Sequence, residues 1–523
     1  MTGPWGMGPL KPYLLAVTPS PFMDDFNRAN GDWLDGTIPS WTDPIQLSSA
    51  LHPWYRLGGN PQIISNEAAI ATNFRAIWFN PCSTYNQFSE MTITHIIGGT
   101  KESVCVRMPQ PQKDGPNPSP NERYSFGYYP PYTSQPNPKW TLEKTNVSGT
   151  TVTLIEKIIT AKTAPITFRL VALDCGSLGT MLLCYEMIAG VPTFIMGFCD
   201  EGSDDLVFPC VGVDGGKDTI HVSSSPMVYG DNWSGGDFTN PETIDLPRLF
   251  VGNGEIEKDG STWQNVSLVG TGTAGVRGGG SITSVAWLCV GGGGGGGGVI
   301  AGGGGGGGVK YGTITLSGTL TCVVGAGGNY GGNGSPTPTN GTGSSITGTA
   351  LTTSVSGGGH GSGTNSGFPA GNGSSGGGGR GFNTESGGTG IGGEGFAGGN
   401  GVSGQFNAAG GGGAGAVGRN ANVTPPHGGD GKQWPTASGG DNAYYGGGGG
   451  GGSYNSTAGT GGLGGGGTGG NRSGMFAQSG SPRTGGGGGG AGHNDAGASG
   501  SPNGGNGGTG VIKFRSQTAN WSP

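Results

Sequence analysis

Two hydrophobic patterns divide the chain. From Pro21 to about Gly230, short β-rich runs are cut by turn residues: IQLSSAL, QIISN, AIWF, FSEMTITHII, SVCVRM, YSFGYY, WTLEK, TVTLIEKII, ITFRLVAL, TMLLCYEM, TFIMGF and IHVSSSPMVYG. Their spacing predicts an antiparallel sandwich, and no stretch carries the longer period of a helix. In FSEMTITHII, Phe88, Met91 and Ile93 cannot all share one face of a regular strand, so a bulge and a curved sheet are expected. After Gly270 only three apolar stretches remain, SITSVAWLCV (281–290), VKYGTITLSGTLTCVV (309–324) and GTGVIKFRS (508–516). The middle one predicts two strands joined by a turn at Ser317 and Gly318. Pairing the first with the last would bring both ends of the rear region to one pole.

Glycine fills the space between those stretches, with 97 of the 124 glycines following Gly270. The longest runs are Gly291–Gly298, Gly302–Gly308, Gly446–Gly452 and Gly485–Gly490, with shorter ones at 376–379, 410–413 and 464–467. An isolated run of this kind behaves as a flexible linker, because glycine loses the most backbone entropy on ordering and has no side chain to bury. Recurrence between ordered-looking strands, with little serine, favours packing instead. Chains without Cβ atoms can lie almost in contact as extended three-residue helices, each donating its N–H groups to a neighbour's carbonyls. Eight residues at about 3.1 Å each would span roughly 25 Å. The fold expected is therefore all-β: an antiparallel jelly-roll sandwich, then a glycine-rich domain of packed polyglycine II helices with flanking β-strands.

These patterns give four segments: an extended arm over 1–20, rich in proline and carrying Trp5, Tyr13 and Leu14; a sandwich over 21–228; a β connector over 229–270; and the glycine-rich domain over 271–523. The arm is expected to dock on another protein. The formal net charge is −7, and the basic residues after Gly270 stand singly, so a nucleic-acid surface is not indicated. No stretch has membrane-spanning length and the amino terminus lacks a signal-peptide pattern, so synthesis in a reducing bacterial cytoplasm without secretory export is expected. Eight cysteines without a CxxC pair are expected to be small buried hydrophobes.

The segment PFMDDFNRANG, with Trp33 and later QIISNEAAI and FSEMTI, resembles the lectin-like jelly-roll domains that open with a DxFNRA segment in minor tail proteins of actinobacterial phages. The resemblance covers about 21–228 and implies a concanavalin-type sandwich that binds glycans or serves as a spacer; GDWLDG replaces the usual LGxxW continuation. The rear pattern, WLCVGGGGGGGG, a segment ending VVGAGG, and glycine blocks closing with GTGVIKFR, resembles the glycine-rich domains of phage tail fibres and adhesins over about 281–516. That likeness implies a virion protein docked on other tail-tip proteins, a homotrimer by fibre habit, whose loops meet a host cell-surface glycan or glycolipid. Alternatives are a purely structural spacer of the tail tip and a cell-wall glycan hydrolase carried by the sandwich.

Candidate receptor contacts are the large side chains between glycine runs: Trp434, Tyr444, Tyr445, Tyr454, Tyr330, His360 and His427. Aromatic faces bury the apolar C–H surface of sugars while site edges bond hydroxyls. Lone phenylalanines such as Phe368, Phe396 and Phe406 are expected to plug the domain's sides. His360, His427 and His493 each adjoin glycine, and separate loop roles are favoured over a shared metal. Asp24, Asp25, Glu90, Glu186, Asp200, Glu201, Asp204 and Asp205 lie mostly in turn contexts without a glycanase carboxylate pair, so no catalysis, cofactor or metal is expected. The many GxG matches are composition and not a phosphate loop.

Overall fold

In the computed structural model the described residues are 22–24, 31–32, 54–58, 62–64, 67–70, 74–78, 85–96, 100–108, 122–131, 136–146, 148–201, 210–217, 228–238, 248–259, 262–266, 271–277, 279–332, 335–363, 368–381, 384–454, 457–472, 475–493 and 503–517. The arm over 1–20 lies outside them, as does most of the PFMDDFNRANG segment. Every described strand pairing is antiparallel, and no α-helix occurs among the described residues; the helical turns are two 3₁₀ turns, Gly176–Leu178 and Thr436–Ser438. The fold is all-β. The chain divides into two units: Met1–Ala172 with Tyr185–Thr193 and Leu206–Thr243, and Leu173–Cys184 with Phe194–Asp205 and Ile244–Pro523.

The first strands are β1 (Phe22–Asp24), β2 (Gly31–Asp32), β3 (Trp54–Gly58), β4 (Gln62–Ile64), β5 (Glu67–Ile70), β6 (Phe74–Trp78), β7 (Gln87–His95) and β8 (Thr100–Met108). Then come β9 (Arg123–Tyr129), β10 (Lys139–Thr145), β11 (Thr151–Ile158), β12 (Ile166–Asp174), β13 (Thr180–Ile188), β14 (Val191–Asp200), β15 (Cys210–Lys217) and β16 (Val228–Asp237). In the first unit, the order β2-β4-β5-β16-β7-β12 makes one sheet and β11-β10-β9-β8-β15-β6-β3 the other. The chain changes sheet repeatedly, at β2/β3, β3/β4, β5/β6, β6/β7, β7/β8, β11/β12, β14/β15 and β15/β16, the crossing pattern of a jelly roll. Phe168 of one sheet meets Phe126 and Trp140 of the other at ring distances of 5.7 and 5.5 Å, and all three are fully buried.

β7 bears the expected irregularity on its β16 side only. Its register against β12 is unbroken from Ile93↔Ile166 to Gln87↔Ala172, with Gln87, Ser89, Met91 and Ile93 inward. Phe88 simply faces the other way, beneath Phe238 (6.4 Å) and the Arg169 guanidinium (5.3 Å). The irregularity lies on the far side, where β16 slips twice against β7.

The second unit adds β17 (Leu249–Val251), β18 (Gly254–Asp259), β19 (Thr262–Val266), β20 (Thr271–Val276), β21 (Ser281–Val290), β22 (Val309–Ser317), β23 (Leu320–Val323), β24 (Ser344–Gly348), β25 (Thr352–Val355), β26 (Lys432–Gln433), β27 (Tyr444–Tyr445) and β28 (Val511–Gln517). The bracketing strands do pair: β28 lies between β19 and β21, from Ala286↔Arg515 to Val290↔Val511. The predicted hairpin at Ser317 and Gly318 does not form. β22 stays beside β21, whereas β23 joins the separate sheet β17-β20-β23-β24-β25. The left-handed Gly318 (φ +69°) carries the chain between sheets, so Leu316 and Leu320 enter one core with Trp287, Cys322, Ile346 and Phe514.

Beyond those strands the glycine runs form a hydrogen-bonded lattice. In Gly291–Gly298 the backbone N–H groups take three neighbours in rotation: Gly291 and Gly294 donate to Gly308 and Gly305, Gly292 and Gly295 to Thr342 and Thr339, and Gly293 and Gly296 to Gly508 and Gly505, at 2.9–3.0 Å. Its carbonyls accept with the same rotation, from Gly358 and Gly361, from Gly328 and Gly331, and from Gly488 and Ala491. The run thus has six neighbouring segments and a bonding repeat of three residues, the repeat of the polyproline II helix. Rows at this spacing leave no room for side chains. A Cβ added to Gly293 would stand 2.1 Å from the Gly486 carbonyl oxygen, and one on Gly304 2.1 Å from that of Gly294.

Candidate functional site

The lattice has two different ends. Rows leave β21, β25 and β27 and return to β22, β24 and β28, so this strand end is its base. The registers Gly291→Gly308, Gly294→Gly305 and Gly297→Gly302 show these two consecutive rows running in opposite senses, turning at Val299 and Ile300 at the far end. Successive rows turn at that same far end through 401–407 and 422–425, and the described residues 335–338, 368–370, 453–454, 475 and 493 stand there too. Turns around 391–394, 414–417, 463–465 and 481–484 lie at the base.

Two loop-end contacts bring several loops together. Asn407 and Ser453 form a bridge, in which Ser453 Oγ donates to Asn407 Oδ1 (2.6 Å), and Asn407 Nδ2 donates to Thr424 Oγ1 (3.1 Å). Beside it, the Tyr454 ring lies 5.2 Å from Phe406 and 4.8 Å edge-on to His493, with the Arg472 guanidinium 4.7 Å over its face. Phe406, Met475 and Phe476 are 43, 43 and 63% exposed, which makes this end apolar and open. Exposed Phe368, Phe396 and Phe406 correct the expectation that lone phenylalanines plug the sides: the lattice contains no side-chain core for them to enter.

The seven candidate residues separate by end. Tyr454 is in the cluster. Tyr330 and His360 lie within a turn of the loop end of their rows, their backbone N–H groups held by Asn506 Oδ1 and Asn340 Oδ1. His427, also near that end, accepts from Thr460 through Nδ1, at 2.7 Å from the hydroxyl and 3.0 Å from the N–H. Its pKa is lowered, first by partial burial and then by Arg419, with Asp430 opposing.

Trp434, Tyr444 and Tyr445 lie at the base instead. Trp434 is fully buried and Tyr445 nearly so, packed with Ala286, Leu288, Val290 and Val511. This corrects their assignment as loop contacts: KQWPTASGGDNAYY folds back over β21 and β28 to cover apolar surface. Lys513 Nζ donates to Asp441 Oδ2 (2.9 Å) and to the Tyr445 hydroxyl (2.7 Å), which donates to the same carboxylate (2.7 Å). Burial raises the Asp441 pKa, but Lys513 and these hydrogen bonds outweigh it and the net shift is downward. Tyr444 is 38% exposed at this end. Arg472, Arg419 and His493, which belong to the loop end, were not among the candidates; their signal is a lone cation in a turn between glycine runs.

Residues 265–517 match the glycine-rich domain family. No curated protein matches the chain. Among solved structures the chain is similar to arcelin-5, a lectin-like defence protein from Phaseolus vulgaris, at 11% identity and a TM-score of 0.24 over 36% of this chain and 93% of that one. It is also similar to alginate lyase Aly36B (10%, TM-score 0.24, 40% of this chain and 96% of that one) and to metal-free lectin I-B4 from Griffonia simplicifolia (10%, TM-score 0.24, 40% and 99%). The sandwich itself rests on the strand pairing described above.

Among the described residues of the chain, no group of three or more His, Cys, Asp or Glu is placed to hold a metal ion. In the sandwich, Glu90 is paired with Arg169 and Glu186 with Lys162, both at 2.8 Å. Asp204 and Asp205 lie outside the described residues. Cys105, Cys175, Cys184, Cys199, Cys289 and Cys322 are buried thiols outside any disulfide, and burial pushes the Cys289 and Cys322 thiols up to about 12. None is a ready nucleophile.

Proposed function

We propose that this protein is a non-enzymatic virion component, a bacteriophage tail-tip or side-fibre protein whose glycine-rich domain recognises a host cell-surface glycan or glycolipid. The observation that carries this reading is the polarity of the lattice: a backbone-only body fixes many loops at one end, where Phe406, Tyr454 and Phe476 offer aromatic surface. A rigid scaffold with loops at one face can change its specificity without refolding its core. Aromatic faces match the C–H faces of sugars, and the neighbouring Asn, Ser and Thr groups match hydroxyls. The arm over 1–20 is the part proposed to dock on other tail proteins, with the chain made in the bacterial cytoplasm and assembled as a homotrimer.

The test is binding of the labelled full-length chain to intact actinobacterial cells. Saturable binding, competed by unlabelled chain and blocking adsorption of the parent phage, is expected. A folded chain without saturable binding would overturn the adhesion reading and leave the spacer.

A further inference from the structure

At the lattice margin, side chains take over the accepting role that backbone carbonyls play inside. Asn340 Oδ1 accepts the His360 N–H (2.9 Å), Asn400 Oδ1 the Gly387 N–H (2.9 Å) and Asp430 Oδ1 the Leu463 N–H (2.8 Å). His427 fills the same role with an imidazole. Its Nδ1 accepts the Thr460 N–H at 3.0 Å and lies 2.7 Å from the Thr460 hydroxyl. This contact precedes the Asp430–Leu463 contact by three residues on each row, the repeat of the lattice. In return the Thr460 and Leu463 carbonyls accept from the Gly428 and Gly431 N–H groups. Row 459–463 is thus joined to row 427–431 by side-chain acceptors in one direction and by backbone acceptors in the other.

A carboxamide keeps its acceptor at every pH and a carboxylate keeps its own into acid, whereas an imidazole accepts only through a nitrogen that carries no proton. With Nδ1 accepting, the ring proton of neutral His427 sits on Nε2. A second proton can go only to Nδ1, which then becomes a donor facing the Thr460 N–H. The Thr460 hydroxyl can turn and accept from it; the backbone N–H cannot, and is the group displaced. The charged groups facing the ring are Arg419 from the neighbouring row and Asp430 from its own, and the stretch 457–463 carries no ionisable side chain. Partial burial and Arg419 outweigh Asp430 and hold the His427 pKa below its ordinary value of 6.5. The stabilisation from this contact is therefore fully present above that value and is lost as pH falls through the folded one.

We infer that His427 and Thr460 form a proton-operated latch, closed at neutral pH, which acid opens by displacing the Thr460 backbone N–H and loosening the loop end of row 459–463. The latch stands on the lattice geometry and is independent of the adhesion reading.

The experiment is amide hydrogen exchange on the full-length chain, read at single amides as protection relative to an unstructured peptide at the same pH. Thr460 protection should fall about fivefold between about pH 7.5 and about pH 5, the worth of one ordinary hydrogen bond, and recover on neutralisation. The Gly387 amide, capped by the Asn400 carboxamide, should keep its protection over the same range. H427N places Oδ1 on the same Cγ that carried Nδ1, so it should keep neutral protection at Thr460 and lose the acid response. H427A should show the lower protection at both pH values. Unchanged Thr460 protection in acid, an equal fall at Gly387, or an acid response that survives in H427N or H427A would overturn the inference.

Discussion

A single missing atom governs the rear half of this protein. At Gly293 the nearest carbonyl oxygen stands where a Cβ would need to be, so Gly293→Ala forces rows apart and should cost about 3 kcal/mol, at the upper end for overpacking. Gly392, in an exposed base turn with nothing within 4 Å of its added Cβ, gives the contrast: Gly392→Ala should be neutral or stabilise by up to about 1 kcal/mol through the unfolded chain. Thermal or denaturant unfolding of the two variants separates them, and similar losses would contradict the lattice. Trp434→Ala removes a fully buried indole and should cost about 3–5 kcal/mol without weakening ligand binding in the fraction that folds. The sequence showed that glycine was structural here, but not that Trp434 was: an aromatic residue between two glycine runs looks the same whether its loop leaves the loop end or folds back over the base.

At the scale of elements, the length of a glycine run reports how many neighbours its row has. Gly291–Gly298 is enclosed on all sides, so no position tolerates a side chain. The row 339–343, at the lattice margin, carries Thr339, Asn340 and Thr342 outward and uses Thr342 and Thr339 carbonyls inward. Pairing of the bracketing strands was legible because both are apolar and β-rich. The supposed hairpin at Ser317 and Gly318 was not, since a left-handed glycine serves a hairpin and a change of sheet equally well, and only the shared core of Leu316 and Leu320 decides. The Lys513–Asp441–Tyr445 contact pins the base excursion to β28. Because the Asp441 pKa is lowered in the folded state, its stabilisation is present above its ordinary pKa near 3.8 and is lost as pH falls through the folded value. Asp441→Asn should therefore lose stability at neutral pH and show a flatter decline in unfolding midpoint below about pH 4; an unchanged acid limb would contradict the assignment.

For the whole molecule, the lattice turns a sequence of very low chemical variety into a polar object, with an apolar strand core at one end and the three histidines of the glycine-rich rows and the Phe406–Tyr454 cluster toward the other. Composition alone could not reveal this polarity, because it depends on which rows run up and which run down. That alternation is written in hydrogen-bond partners far apart in sequence, such as Gly293 with Gly508. The most direct test of loop-end recognition compares two full-length variants for binding to intact actinobacterial cells: Phe406→Ala with Phe476→Ala at the loop end, and Tyr444→Ala with Leu463→Ala at the base, all four side chains being exposed. Loss of binding in the loop-end pair, with wild-type binding in the base pair and unchanged unfolding midpoints in both, is the predicted result. Wild-type binding by the loop-end pair, or loss confined to the base pair, would contradict it.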